Sequence, residues 1–202
     1  KGGRSPAMTR QEEKQQLRSV ISRLEEKLSP SYKEKSDRVI AHRLLAMPEY
    51  QEAQTVFCFI GTAHEINTRP ILEHILSSGK TLCVPLCTAP GIMEPRQITD
   101  LHQLLPGAHA IPEPPADAPL VVVDAIDFAI LPCVTCNVLG QRLGHGCGYY
   151  DHFLSQYRGG TVLLCREQLL RQEIPVEPHD YPVPWVLTER ALYEDGIPAP
   201  FG

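Results

Sequence analysis

"IDFAILPCVTCNVLGQRLGHGCGYYDHFLSQYRGGTVLLCR", residues 126–166, sets a glycine-rich turn and a helical pattern between two apolar runs. "IDFAILP" (126–132) and "TVLLCR" (161–166) are short, apolar and rich in branched residues, which predicts buried strands. "YYDHFLSQY" (149–157) reads as a helix. Between the first strand and that helix stand Gly144, Gly146 and Gly148, at every second position. Glycine is costly to order, so three of them this close need a physical reason.

The same alternation continues on both sides. Residues 11–28 carry Leu17, Val20, Ile21, Leu24 and Leu28 at helical spacing, and a second helix is expected over about 34–46, stopping before Pro48. "TVFCFI" (55–60) and "TLCVPL" (81–86) read as strands, with "GIMEPRQI" (91–98) a weaker one. Thr68 is the expected N-cap of a helix over "RPILEHILSSGK", with Pro70 in its first turn and Gly79 just past its end. Residues 99–119 form a proline-rich traverse, and "PWVLTE" (184–189) ends the pattern as a last strand. Strands alternating with helices predict a single three-layer α/β/α domain with a mostly parallel central sheet. Its expected limits are 10–196, with 1–9 an added tag or unstructured leader (Met8 the native start) and 197–202 a tail.

In such sheets ligands sit outside the carboxyl ends of the strands, where loops lead into helices. The glycine turn lies there. A turn that opens a helix offers backbone N–H groups and a positive dipole end, and both suit a phosphate. Arg142 adds a charged donor, Tyr149 and Tyr150 add rings and hydroxyls, and Asp151 adds a carboxylate for Mg²⁺. The plainer reading is a tight turn whose glycines only let strand and helix pack. The spacing matches neither the P-loop nor G-x-G-x-x-G, and the turn comes too late for a first βα unit of the dinucleotide-binding kind.

Composition narrows the classes further. The 202 residues are 43% hydrophobic and 21% charged, with a formal net charge of −5, so wholesale nucleic-acid binding is disfavoured. No apolar run approaches the ~20 residues of a membrane span, and the first residues lack the apolar core of a secretory signal. Seven cysteines, an odd number scattered among apolar residues, read as small buried side chains in a reducing compartment, hence a cytoplasmic protein.

"NVLGQRLGHGCGYYDHFL" (137–154) resembles the signature of the 5-formyltetrahydrofolate cyclo-ligases, approximately D-x-x-G-x-R-L-G-[RH]-G-x-G-Y-Y-D. "KQQLR" (14–18), "HEINTRPIL" (64–72), "IDFAILP" and "EPHDYPVPWVLTE" (177–189) are similar to further family segments in the right order. The resemblance implies ATP- and Mg²⁺-dependent cyclisation of 5-formyltetrahydrofolate to 5,10-methenyltetrahydrofolate through a phosphorylated formyl group, with release of ADP and phosphate. It also implies small-molecule partners only, a reduced folate and ATP, with no nucleic acid or membrane. A monomer or weak homodimer is expected.

By matching position, the resemblance assigns the ATP site to Lys14, Arg18, Arg142, Leu143, Gly144, His145, Gly146, Cys147, Gly148, Tyr149 and Tyr150. Lys14 and Arg18, four apart, share a helix face. It assigns folate contacts to Ile60, Glu65 and the turn from His145 to Tyr149, with Met93 as a weaker addition. Glu65 would accept two parallel N–H bonds from the pterin edge. Arg142, His145 and Tyr149 are the expected catalytic residues, and Asp151 and Asp180 the Mg²⁺ ligands.

Several residues depart from the family pattern. His145 stands where arginine is frequent, Cys147 where lysine or glycine is usual, Asn137 where aspartate is common, and Pro184 in place of an aspartate. Cys133 and Cys136 replace a glycine and an aromatic residue. The loss of fixed positive charge motivates an alternative, a catalytically weakened folate- or nucleotide-binding regulatory protein of the same fold. "CVTC" (133–136) reads as small-residue packing at a strand end. A Cys₃His zinc site with His145 and Cys147, or redox pairing of the two thiols, are its chemical alternatives.

Overall fold

The computed structural model describes residues 6–199. In chain order it forms α1 (Arg10–Lys27), α2 (Pro30–Leu45), α3 (Pro48–Glu52), β1 (Thr55–Cys58), α4 (Arg69–Ser77), β2 (Thr81–Ala89) and β3 (Ile92–Ile98). The short pair β4 (Leu105–Pro106) and β5 (Pro112–Glu113) follows, then β6 (Phe128–Leu131) and the hairpin β7 (Thr135–Cys136) and β8 (Arg142–Leu143). The chain ends in α5 (Tyr149–Gln156), β9 (Gly160–Leu164), β10 (Trp185–Leu187), β11 (Leu192–Glu194) and β12 (Ile197–Ala199).

Eight strands make one sheet in the order β12-β11-β10-β9-β6-β1-β2-β3. The five central strands run parallel, and β3, β11 and β12 extend the edges antiparallel. Successive residues of a strand point to opposite faces, and the two apolar cores divide accordingly. Val56, Cys58, Ile130, Val162 and Leu164 pack with α2, α3 and α4, whereas Phe57, Ala129, Leu131 and Leu163 pack with Ile21 of α1, Phe153 and Leu154 of α5, and Tyr157 just after it. This is the three-layer α/β/α arrangement. No described helix is long and apolar enough to cross a membrane.

The chain moves from β1 to β2 on one side and returns to β6 on the other, so strand order reverses at β1. The loops after β1, β6 and β9 therefore open on a common crevice.

Local chemistry explains where the structure departs from the sequence reading. The second helix starts at Pro30, because the Ser29 side chain accepts from the Tyr32 N–H and proline is pre-set for a first helical position. Thr68 holds the expected N-cap position of α4, but its side chain makes no cap hydrogen bond there. Its hydroxyl donates to the Phe59 carbonyl and accepts from the Gly61 N–H, both at 3.0 Å, and so ties down the loop after β1. On α1, Val20 is 40% exposed while Lys14 and Glu25 are buried, which makes the inward stripe partly charged. The expected tail contributes β12, and the expected leader contributes the capping box of Thr9 and Glu12. Residues 1–5 and 200–202, the rest of those two expectations, lie outside the described residues.

Candidate active site

The glycine turn hangs between the β7–β8 hairpin and α5. Asn137 shapes that hairpin: its Oδ1 accepts from the Leu139 and Gln141 N–H groups at 3.1 and 3.0 Å, and its Nδ2 donates to Gln141 Oε1. A carboxylate would accept the same two N–H bonds, so an aspartate there would do much of the same work. Gly146 and Gly148 have φ of +101° and +75°, backbone that strains any residue with a Cβ. Gly148 is the N-cap of α5, and open space lies where its Cβ would be. Residues 145–148 are exposed, so the turn is not filled by packed protein.

Arg142 anchors this structure from below. It is buried at 6% exposure, its Nε and Nη2 donate to the Pro132 carbonyl at 3.3 and 3.1 Å, and its guanidinium lies 5.4 Å from the centre of the Tyr150 ring. Its Nη1 is 3.7 Å from Asp151 Oδ1. That carboxylate oxygen is buried and takes no hydrogen bond. A buried, unpartnered carboxylate oxygen facing a cleft is what a hard cation or an added donor would satisfy.

From α1, Arg18 donates through Nε to the Gly144 carbonyl at 2.7 Å and lays its guanidinium beside Gly146. Burial pulls Arg18 below the usual arginine range. Lys14, one turn earlier, binds Asp180 at 2.7 Å and Glu177 at 3.0 Å. Burial disfavours its charge, but the hydrogen bonds and charges of the two carboxylates outweigh that and hold it above the ordinary lysine value. Asp180 shows the complement: burial opposes its charge, while Lys14 and the Glu177 N–H hold it below the usual carboxylate range. The Lys14 ammonium thus already has two anionic partners.

Every residue assigned to ATP, folate or Mg²⁺ from the sequence, except Met93, lines one narrow cleft of about 170 Å³. Met93 instead packs in the core under α1 and α5. Tyr150 acts as a wall, edge-on to Phe57 at 6.3 Å, and burial drives its phenol far above the usual range. Asp151 and Asp180 both face the cleft, although one Asp180 oxygen is committed to Lys14. Cys147 is exposed on the turn, away from the Cys133–Cys136 pair, while Pro184 is exposed and outside the cleft.

A wider cavity of about 660 Å³ adjoins it, sharing Arg18, Phe59, Glu65, Ile111, Pro132 and His145. At the junction His145 Nε2 lies 3.6 Å from Glu65 Oε2, and the other Glu65 oxygen accepts from the Thr62 N–H at 3.2 Å. Arg166, buried after β9, donates to the Glu65 carbonyl, to Asp37 and to Ser36, and so fixes the loop that presents Glu65. Arg166 escaped the sequence reading, because it belongs to no motif and gains its role only when β9 is placed next to β6. His109 and Ala110, from the proline-rich traverse, wall the wide cavity with φ of +56° and +59°. No sequence signal marked them.

The architecture and the sequence both have known counterparts. The solution structure of Aquifex aeolicus 5,10-methenyltetrahydrofolate synthetase superposes with a TM-score of 0.81 at 23% identity, over 94% of this chain and 96% of that one. A Mycoplasma pneumoniae 5,10-methenyltetrahydrofolate synthetase gives 0.71 at 18% identity, over 87% and 98%. In sequence, the Escherichia coli (strain K12) 5-formyltetrahydrofolate cyclo-ligase is 28% identical over 179 residues, covering 83% of this chain and 95% of its own. The Mus musculus 5-formyltetrahydrofolate cyclo-ligase is 25% identical over 209 residues, covering 94% and 97%. The model of the 5-formyltetrahydrofolate cyclo-ligase family matches residues 10–189, and the chain belongs to that family of enzymes.

Proposed function

We propose that the protein converts 5-formyltetrahydrofolate to 5,10-methenyltetrahydrofolate, consuming ATP with Mg²⁺ and releasing ADP and phosphate. The observation that carries this reading is the open glycine turn at the start of α5, flanked by Arg18 and by Arg142 with its unpartnered Asp151 neighbour. A triphosphate laid along the turn meets backbone N–H groups, a helix N-terminus and two guanidinium groups.

In this reading the formyl oxygen attacks the γ-phosphorus. The O–P bond forms, the bond to ADP breaks, and N5 carries an iminium phosphate. N10 then closes on the formyl carbon and gives up its proton, the carbon–oxygen bond breaks, and phosphate departs with its oxygen. An amide oxygen leaves poorly, and phosphorylation makes it a good leaving group. The protein's contribution is position and charge. Arg142, rigid on the Pro132 carbonyl, holds the γ-phosphate end. Arg18 keeps the turn in shape and faces the chain of phosphates. His145, at the junction of the two cavities, sits where phosphate and formyl group meet, with Tyr149 beside it. Glu65 receives the pterin edge, with Ile60 against the ring and the wider cavity holding the rest of the folate. Lys14 reaches a phosphate by exchanging Asp180 and Glu177 for it. Asp151, with Asp180, would hold Mg²⁺, which when bound neutralises phosphate charge. A reducing cytoplasm is the setting we propose, with the seven free thiols as its support.

The test is direct. Purified protein with MgATP and 5-formyltetrahydrofolate should develop the near-ultraviolet absorbance of the methenyl product, one ADP per product. Binding of both ligands without ADP release would replace this reading with the regulatory-protein alternative. No binding of either would overturn both.

A further inference from the structure

Behind the wide cavity, three sulfur atoms come together that no cleft residue needs. Cys133 lies just after β6, Cys136 ends β7, and Cys165 follows β9; their Sγ atoms all lie within 4.8 Å of one another. Cys136 and Cys165 are buried at 0% and 3% exposure, and Cys133 is half-buried. Cys133 and Cys136 have the C-x-x-C spacing of paired zinc ligands. The third arrives from 29 residues downstream of Cys136, through the parallel pairing of β6 with β9. Neither His145 nor Cys147, the partners that sequence proximity offers, belongs to the group.

We propose that Cys133, Cys136 and Cys165 form a binding site for a thiophilic divalent cation of the Zn²⁺ type. Zinc–thiolate bonds of ~2.3 Å place three sulfurs roughly 3.8–4.0 Å apart, so each pair needs to close by no more than about 1 Å. The present contacts give way easily: Cys133 Sγ donates to the Leu164 carbonyl at 3.6 Å and Cys165 Sγ to the Arg166 carbonyl at 3.4 Å, and thiols are weak donors. Cys133 and Cys165 line the wide cavity whereas Cys136 does not. The cluster therefore borders the cavity on one side, which offers an entry path and room for a fourth ligand. A zinc ion held by three protein ligands keeps a fourth tetrahedral position for water or another small ligand.

The site is tied to the glycine turn through the hairpin. Cys136 pairs in register with Arg142, and Cys133 follows the Pro132 whose carbonyl holds that arginine. An ion drawing the two thiolates together fixes the β7–β8 hairpin and so the aim of Arg142. Hard cations such as Mg²⁺ prefer oxygen and are expected to avoid it.

Co²⁺ is the probe, added anaerobically to fully reduced protein. Expected are one equivalent of Co²⁺ per chain with intense thiolate-to-metal charge-transfer absorbance, displacement of that signal by Zn²⁺, and no displacement by excess Mg²⁺. Cys133→Ala, at the half-buried position, should weaken Co²⁺ binding at least tenfold with unchanged circular dichroism, and Cys87→Ser should leave binding as it was. Co²⁺ at Glu177, His179 and Asp180 would lack the charge-transfer band, so the two clusters are distinguishable. Absence of the band, or a band undiminished in Cys133→Ala, overturns the proposal in favour of three cysteines that only fill space. A Cys133–Cys136 disulfide in the purified protein, with no metal uptake after reduction, overturns it equally.

Discussion

The two cavities that meet at Glu65 and His145 are built from opposite materials. The narrow cleft is made of backbone and charge: Gly144 to Gly148, Lys14, Arg18, Arg142, Asp151 and Asp180. The wide one has apolar walls from Ile21, Phe59, Ile66, Ile111, Leu164 and Leu169, with acids at its rim. A cleft of the first kind stabilises a polyanion through fixed dipoles and guanidinium groups. The second suits a flat, partly apolar ring system selected by a few directed hydrogen bonds, as the proposed function requires. Under the proposed function, the division would let two substrates be bound by independent means and react only where the cavities touch.

Arg142→Ala is the harshest way to break that division. It removes the one buried guanidinium under the turn and leaves Asp151 without a nearby countercharge. Turnover should fall by roughly 10³-fold or more, as for other single groups that stabilise transferring phosphate. Isothermal titration should show the nucleotide affinity falling while folate binding persists. Equal loss of both ligands would mean that the cavities are one site.

Glu65→Gln attacks the other side. A carboxylate replaced at a two-bond contact forfeits a charge-assisted hydrogen bond, about 1.5–3 kcal/mol. The KM for 5-formyltetrahydrofolate should rise about 10- to 100-fold with the KM for ATP nearly unchanged. If the ATP constant rises instead, the pairing of Glu65 with His145 matters more to the phosphates than to the pterin.

How far these divisions were legible in the sequence depends on the range of the forces. Strands such as "TVFCFI" and "IDFAILP" declare themselves because they are buried on both faces and need no partner to be recognised. The two-residue strands β7 and β8 are too short for any period, and β11 and β12 gain strand structure only by pairing outward from β10. The narrow cleft was legible because nearly half of its lining is one contiguous segment, Arg142 to Asp151. The wide cavity was not, because Arg166, His109 and Cys165 reach it from separate loops that only the sheet order brings together. The burial of Lys14 on α1 was not legible for a related reason. Lys14 is buried because Glu177 and Asp180 come from 163 and 166 residues away, and nothing local announces such partners.

That distant ion pair gives a smaller, pH-dependent effect. Asp180 is held below the usual carboxylate range, so its contribution to stability is complete above the unfolded value of ~4 and fades as pH falls through the lower folded value. Lys14, held above the ordinary value, contributes below ~10.5 and loses that contribution at higher pH. Asp180→Asn should therefore cost about 1–2 kcal/mol at pH 7, with Glu177 retaining part of the Lys14 charge, and the cost should shrink toward pH 3. Denaturant melts at the two pH values measure it. A cost independent of pH would show that packing at the end of α1, not charge, carries the interaction.

Asn137→Asp is the gentlest probe, and it asks whether departure from the family pattern reaches the cleft at all. The Oδ1 that receives the Leu139 and Gln141 N–H groups survives in aspartate, while the Nδ2 bond to Gln141 Oε1 is lost and an acceptor faces an acceptor. Gln141 can rotate its amide and present its NH₂ instead, which restores the bond with opposite polarity. Stability should then stay within about 0.5 kcal/mol of the parent. Nucleotide affinity should be unaltered, because the hairpin keeps Arg142 on the Pro132 carbonyl. A fall in ATP affinity without a fall in stability would mean that charge at the hairpin tip is felt across the glycine turn, and the narrow cleft would have to be drawn to include it.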